Sequence, residues 1–186
     1  MKRLYKLLIA IAAFSWLAQS ILHAEVRVPV VTDLQHDGEL ARTQHLPILL
    51  TFTSSICSYC DLLEEDFLQP MLLSGDYTDR VLIRKLVIDG GRTIRDFNGD
   101  PSTADKLSDR YRVFVTPTLL FVDGNGNELA ERMLGINTPE LFGGYLDDCI
   151  DTALERIREP DRLASAHGCT LEHAAGDSDI FRTAAP

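Results

Sequence analysis

The 186-residue sequence has few cysteines and fewer basic than acidic residues. It contains four cysteines and a single C-x-x-C motif, at residues 57–60. A structural zinc site takes four ligands, and one such motif provides only two. Basic residues are outnumbered, with 18 Lys+Arg against 28 Asp+Glu and a formal charge of −10, which argues against nucleic acid or an anionic membrane surface as a partner. Internal repeats are absent, and the length is enough for one domain with its own core.

The N-terminal residues have the pattern of a secretory signal peptide. Basic residues at positions 2, 3 and 6 precede an apolar stretch at residues 7–17, and Ala24 is a small residue suited to a cleavage site. The apolar stretch is short for a membrane span, and an uncleaved anchor formed by residues 7–22 is the alternative. Cleavage after Ala24 removes three basic residues and no acidic ones, which leaves 15 Lys+Arg against 28 Asp+Glu and a formal charge of −13. We therefore expect residues 1–24 to be the signal peptide of an exported protein.

Residues 25–158 carry the patterns of one domain, and residues 159–186 form a tail. The tail is rich in Ala, Gly and Asp with few large apolar residues, so we expect it to be loosely ordered. Apolar runs predict strands at residues 26–31, 47–53, 81–88, 118–122 and 129–134. Helix-spaced apolar residues predict helices at about 33–45, from Cys60 to near Pro70, at 102–111 and at 139–158, with a polar surface insertion at 89–100. This order predicts an α/β fold in which helices flank both faces of a mixed central sheet.

The motif Cys57-Ser58-Tyr59-Cys60 lies at a predicted junction between a strand and a helix. The apolar run at 47–53 precedes it, and the residues after Cys60 combine helix-spaced Leu and Phe with acids in the first turns. At a helix N-terminus, free N–H groups and the helix dipole lower the pKa of the first thiol, and the thiolate is the species that attacks disulfides. The placement indicates a redox pair in preference to a metal site. The alternative is a structural disulfide that only stabilises a turn.

The other two cysteines have two possible roles. Four cysteines allow three pairings, and the close spacing favours Cys57–Cys60, which leaves Cys149 and Cys169. Cys149 lies among apolar residues of the predicted last helix, so it is either a buried thiol or, in an oxidising compartment, bridged to Cys169. Histidines at 167 and 173 flank Cys169 but match no standard metal-site spacing. We expect neither a metal nor another cofactor.

The element order and three motifs resemble the thioredoxin superfamily over residues 26–158. The motifs are the apolar strand that leads into residues 57–60, the segment 84–89, which looks like the family's central strand, and residues 116–121 followed by a glycine hairpin. Together they are specific, whereas a C-x-x-C motif alone is not. The resemblance implies the thioredoxin fold for most of the chain.

The resemblance also implies roles for individual residues. Cys57 is then the nucleophile that forms a mixed disulfide with a protein substrate, and Cys60 resolves it. In the family the proline at the position of Pro117 is cis and lies against the redox disulfide, and the residue before it, here Thr116, offers backbone groups to a substrate strand. Tyr59 either flanks the substrate groove or is an exposed aromatic residue at a helix start. The implied partners are protein thiols and disulfides, and we expect a monomer.

Several positions depart from the cytosolic thioredoxin pattern. Ile56 replaces the usual Trp, and Ser58-Tyr59 replaces Gly-Pro between the cysteines. Thr51 stands where cytosolic members carry a buried Asp that serves proton transfer, so water, another acid or the substrate must handle the proton. Lys85 either lines the space under the active site or is a solvated strand residue. With the signal peptide, these departures resemble periplasmic thioredoxins of the SoxW type or their thiol–disulfide reductase relatives, and they imply a periplasmic location.

The direction of the reaction has more than one interpretation. The motif lacks the histidine that helps strongly oxidising members to stabilise their thiolate. Thr116, the residue before the proline, resembles that of reductase and isomerase members. We therefore expect a reductase that draws electrons from a membrane donor. A dithiol oxidase runs the same chemistry in reverse. A thioredoxin-fold binding or assembly module with a structural disulfide is the alternative from a different class. A dimeric isomerase is a weaker option because it needs a dimerisation region.

Overall fold

The computed structural model describes residues 26–159 and Cys169. The predicted signal peptide, residues 1–24, and most of the predicted tail lie outside these residues. The helices are α1 (Leu34–Gln44), α2 (Ser58–Leu63), α3 (Gln69–Ser74), α4 (Ala104–Arg110) and α5 (Pro139–Arg158), with a π-helix at Glu64–Leu68. The strands are β1 (Ile48–Thr53), β2 (Leu82–Val87), β3 (Thr93–Arg95), β4 (Pro101–Thr103), β5 (Thr118–Val122) and β6 (Met133–Leu134). Among these residues, no helix is both long enough and apolar enough to cross a membrane.

Four strands form the central sheet in the order β2-β1-β5-β6. β1 runs parallel to β2 and antiparallel to β5, so the sheet is mixed, as predicted. The predicted first strand at 26–31 is reduced to one bridge, in which Val30 pairs with Lys85 of β2. The Val31 N–H donates to the Lys85 carbonyl, and the Lys85 N–H donates to the Pro29 carbonyl, each at 2.9 Å. Pro29 has no N–H to donate, which keeps this pairing short.

The core consists of two apolar clusters, one on each face of the sheet. Leu49 of β1 belongs to the cluster that includes α5 and the helical residues 58–74. Its neighbours Ile48, Leu50 and Phe52 belong to the cluster that includes α1 and α4. This alternation follows from the two-residue period of a strand. Helices therefore cover both faces of the sheet, and the predicted fold class is confirmed.

The helical residues 58–74, called here the motif helix, are irregular just before Pro70, where the sequence predicts an end or a kink. The segment passes from α2 through the π-helix to α3. Pro70 has no N–H with which to continue the α-helical ladder, and the Gln69 N–H donates to the Glu64 carbonyl in a π-type bond. The helix continues to Ser74 and ends at Gly75, which has the positive φ of 77° that favours glycine.

The predicted surface insertion at 89–100 is in part a hairpin, which corrects the sequence prediction. β3 and β4 pair antiparallel, and the helix predicted from Ser102 begins two residues later, at Ala104. Asp96 organises the turn between the two strands. Its N–H donates to the Asp100 carbonyl (2.9 Å), and its carboxylate accepts from the Phe97 N–H (2.7 Å). The hairpin thus depends on a side chain that satisfies the turn backbone, which apolar periodicity does not reveal.

The predicted return strand at 129–134 is also shorter than expected. Regular pairing with β5 is confined to β6, although Glu128 makes an isolated bridge to Val122 and the Leu129 N–H donates to the Phe121 carbonyl (2.7 Å). The Leu129 carbonyl accepts from the Arg156 side chain instead of from a strand. A side chain therefore takes the place of a ladder bond at this position.

A disulfide joins Cys149 of α5 to Cys169, with the two Cα atoms 4.7 Å apart. Cys149 is 4 % exposed within the cluster that covers one face of the sheet, and Cys169 packs against that cluster. Of the two roles that the sequence left open for Cys149, the bridge is the one observed.

Candidate active site

Cys57 lies at the N-terminus of the motif helix, a few residues after the end of β1. Its backbone is extended (φ −107°, ψ 99°), and it occupies the N-cap position before Ser58. Its carbonyl accepts from the Cys60 and Asp61 N–H groups (2.9 and 3.2 Å), and its sulfur lies 3.1 Å from the Cys60 amide nitrogen. The Cys57 sulfur therefore lies where the helix end favours negative charge, as the spacing predicts.

Cys57 and Cys60 form a disulfide and differ in exposure. Their Cα atoms are 5.2 Å apart. Cys57 is half-buried, whereas Cys60 is 4 % exposed. A substrate can thus reach the first sulfur far more readily than the second. This asymmetry suits the predicted roles of Cys57 as nucleophile and Cys60 as resolving cysteine, and the roles themselves stay predictions.

The turn before Cys57 is fixed to the end of β2 by Asp89. The Ser55 N–H lies 3.0 Å from both carboxylate oxygens of Asp89, and the Ser55 hydroxyl donates to one of them at 2.5 Å. These hydrogen bonds, first that of the hydroxyl and then that of the N–H, lower the pKa of Asp89 below its usual value. Sequence reasoning missed this contact. The available signal was an acid placed two residues after β2, at the sheet edge where β1 also ends.

Pro117 lies at the same sheet edge. The Thr116–Pro117 peptide is cis, which confirms what the family resemblance implies. β5 begins at Thr118, which pairs with Phe52 near the end of β1, so the proline precedes its strand where the Cys57 turn leaves the sheet. Pro117 is buried and its carbonyl accepts from the Gly135 N–H (2.8 Å), while Thr116 is half-buried. The structure therefore brings the cysteine pair and the predicted substrate-binding residues to one edge.

Large apolar side chains are exposed beside both parts of the site. Ile56 and Tyr59, on either side of Cys57 in the sequence, are 93 % and 60 % exposed. Phe114 and Val115, just before the cis peptide, are 87 % and 52 % exposed. Tyr59 is thus an exposed aromatic residue next to Cys57, a position compatible with both of its predicted roles. We call these four residues the apolar rim.

Polar residues lie beneath the site, on the sheet face that the motif helix covers. Thr51 is fully buried, and its hydroxyl has no hydrogen-bond partner among the described residues. Its register neighbour on β2 is Lys85, whose Nζ forms an ion pair with Glu64 Oε2 at 2.5 Å. Both side chains are 17 % exposed, so the interpretation of Lys85 as a solvated strand residue is wrong. Sequence reasoning missed Glu64, although its place four residues after Cys60 puts it on the same helix face.

A cavity of about 510 Å³ lies away from the cysteine pair. Its lining includes Met133, Leu134, Tyr145 and the Cys149–Cys169 bridge, but neither Cys57 nor Cys60. Within residues 26–159 and Cys169, no group of three or more His, Cys, Asp or Glu residues could hold a metal ion. The candidate site is the cysteine pair, with an accessible Cys57 at the N-terminus of the motif helix.

Comparisons with known proteins give one family and a set of solved structures. A family described as the thioredoxin-like domain matches residues 34–150. No curated protein matches the sequence. Among solved structures, a thioredoxin h from poplar is 18 % identical and matches 66 % of this chain and 96 % of its own, with a TM-score of 0.47. The thioredoxin of Malassezia sympodialis is 15 % identical over 72 % and 98 % of the two chains, with a TM-score of 0.47. Thioredoxin O2 from Arabidopsis thaliana is 23 % identical over 67 % and 96 %, with a TM-score of 0.42.

Proposed function

The chain belongs to the family of thioredoxin-like domains, and on that premise we propose that it is an exported thiol–disulfide oxidoreductase that reduces protein disulfides. The observation that carries the proposal is the arrangement of its C-x-x-C pair. An accessible Cys57 sulfur lies at a helix N-terminus and is bonded to a Cys60 that is 4 % exposed. Such an arrangement supplies a nucleophile that substrates can reach and an internal thiol that completes the exchange.

The reduction proceeds in two exchange steps. The Cys57 thiolate attacks one sulfur of a substrate disulfide, forms a mixed disulfide and expels the other substrate sulfur as a thiolate. The Cys60 thiol then loses its proton and attacks the Cys57 sulfur. The bond between Cys57 and the substrate breaks, its electron pair leaves with the substrate sulfur, and that sulfur takes up a proton. The substrate ends as a dithiol and the chain as the Cys57–Cys60 disulfide.

The apolar rim supports a polypeptide as the substrate. Ile56 and Tyr59 adjoin the reactive sulfur, and Phe114 and Val115 precede the Thr116–Pro117 peptide, so apolar side chains lie beside both halves of the site. A disulfide-bearing segment with apolar neighbours would remove this surface from water on binding.

The residues between the cysteines support reduction as the direction of the reaction. A C-x-x-C protein is a strong oxidant when its reduced, dithiol form is stabilised relative to its disulfide form. Ser58 and Tyr59 provide no cation that would stabilise a Cys57 thiolate in this way. We therefore favour reduction, which requires a donor to reduce the Cys57–Cys60 disulfide after each cycle. In the periplasm, where the signal peptide would direct the chain, those electrons come from across the membrane.

A turnover assay tests the activity. The chain beginning at Glu25 is mixed with dithiothreitol and a soluble disulfide protein, and the loss of the protein disulfide is followed with time. We expect acceleration by the native chain and none by Cys57→Ser or Cys60→Ser. The matched control, Cys149→Ala with Cys169→Ser, should retain the native rate. Equal rates for the native chain and the Cys57→Ser variant would contradict the proposal.

Cell fractionation tests the location separately. The full chain is expressed in a bacterium with two membranes, and the periplasmic fraction is examined for a product whose N-terminal residue is Glu25. Recovery of the uncleaved chain with the membranes would favour the anchor, and recovery in the cytoplasm would overturn the proposed location.

A further inference from the structure

The resolving step requires an acceptor for the Cys60 proton. Cys60 must lose its proton before its sulfur can attack Cys57, and at 4 % exposure it has little contact with bulk water. Thr51, on the strand beneath the motif helix, offers only a hydroxyl, which does not accept a proton from a thiol near neutral pH. A protein group that accepts this proton therefore has to be another side chain, on the covered face of the motif helix.

Glu64 is the carboxylate on that face. It follows Cys60 by four residues, and side chains four apart on a helix are neighbours and lean toward the helix N-terminus. Its side chain is 17 % exposed, and its Oε2 atom is ion-paired with Lys85. Its Oε1 atom accepts from the Val28 N–H at 3.4 Å. Lys85 in turn lies beside Thr51 in the sheet register. These contacts hold the carboxylate between the helix and the sheet, one turn beyond Cys60.

The surrounding charged groups do not compete for this role. The other acids of the first helical turns, Asp61, Glu65 and Asp66, are exposed. On the elements packed against Glu64, the charged side chains are Lys85, which pairs with it, Arg84, which pairs with Asp37 on the other face of the sheet, and Arg27, which is exposed and has an interaction of its own.

We propose that Glu64, held by Lys85, accepts the Cys60 proton when the mixed disulfide is resolved. The Cys60 S–H bond breaks, and its proton moves to the Glu64 carboxylate. The Cys60 thiolate then bonds to the Cys57 sulfur, and the substrate sulfur leaves with the electron pair of the broken bond. That thiolate is protonated by solvent, and Glu64 returns its proton to solvent before the next cycle. The inference rests on the proposed function, since it names the proton acceptor for one step of that reaction.

A two-phase reaction separates this step from the first attack. The chain, reduced at Cys57 and Cys60 with Cys149–Cys169 closed, is mixed in a stopped-flow instrument with dithiobis(nitrobenzoate). Attack by Cys57 releases one coloured thiolate at a rate proportional to reagent concentration. Attack by Cys60 on the mixed disulfide releases the second at a rate independent of that concentration.

Glu64→Gln should affect only the second phase. We expect it to slow that phase by about 10²-fold or more, the lower end of the usual contribution of general acid–base catalysis, and to leave the first phase within about twofold. Raising the pH should restore the second phase by about tenfold per unit, because the thiol then ionises without help. The exposed neighbour gives a matched control, and Glu65→Gln should change neither phase.

Each alternative outcome has a separate meaning. A second phase within about twofold of the native rate in Glu64→Gln overturns the inference, and so does an equal slowing of both phases at every pH, which indicates a structural role. Absence of the first phase in the native chain overturns the proposed function itself. If Glu64→Gln unfolds because Lys85 loses its partner, Glu64→Gln with Lys85→Met leaves neither charge unpaired. In that variant a slow, alkali-restored second phase supports the inference, and a native rate overturns it.

Discussion

Opening the Cys149–Cys169 bridge should cost about 3 kcal/mol of folding free energy. The bond joins residues 20 apart in the sequence. In the chain-entropy model, a loop of that length lowers the entropy of the unfolded chain by roughly 11 cal/mol/K, which is about 3 kcal/mol at 25 °C. Cys169→Ser removes the bond with almost no change in side-chain size. The remaining Cys149 thiol suits its apolar surroundings in α5, so the constraint accounts for most of the loss.

Urea unfolding followed by far-ultraviolet circular dichroism measures this loss, with Cys57–Cys60 kept closed in both proteins. We expect the free energy of unfolding of Cys169→Ser to fall by about 3 kcal/mol. Cys149→Ala with Cys169→Ser is the control for exchange between a free Cys149 and the Cys57–Cys60 pair, and it should lose at least as much. A loss below about 1 kcal/mol in both variants would refute the reasoning, because the bridge would then constrain the unfolded chain far less than its loop length requires.

Two further predictions concern buried polar groups. Thr51→Val should raise the free energy of unfolding by about 1 kcal/mol, because it replaces a buried hydroxyl that lacks a partner among the described residues with a methyl group of similar size; an equal or lower stability by urea unfolding would contradict this. Burial, with a smaller contribution from Asp96, raises the pKa of Tyr111 from 10.0 to about 12. Because the folded state binds this proton more tightly than the unfolded state does, the shift adds fully to the free energy of unfolding below about pH 10. This stabilisation, at most about 3 kcal/mol, is lost as the pH rises toward 12. Tyr111→Phe should lose less stability over that range, and an unchanged slope would argue against burial as the cause.

Elements with local signals were predictable from the sequence. β1 is a nearly continuous apolar run whose residues are all buried, and α1 begins after Asp33, whose carboxylate accepts from the His36 N–H. Pro139 starts α5, and the fixed φ of proline suits the first helical position. The cysteine pair was accessible in the same way, because it depends on a motif of four adjacent residues, whereas the cis peptide before Pro117 was expected from the resemblance to the thioredoxin superfamily.

Features that depend on register between distant segments were not predictable. The pair of Glu64 and Lys85 exists because the motif helix packs over β2 with these two positions opposite each other, and neither segment alone specifies that alignment. The link from Asp89 to Ser55 likewise joins residues 34 apart. The hairpin of β3 and β4 has one buried apolar residue in its first strand, Ile94, too little for a period-two pattern.

The reduction potential of Cys57–Cys60 tests the central claim most directly. The chain beginning at Glu25 is equilibrated with glutathione or dithiothreitol buffers, and thiols are trapped by alkylation and assigned by mass, with Cys57→Ser and Cys60→Ser as controls. A reductase that a donor must recharge predicts a potential of roughly −270 to −200 mV. A value near about −120 mV would reverse the direction to dithiol oxidation. A disulfide that stays closed well below about −300 mV would contradict the redox function and indicate a structural staple.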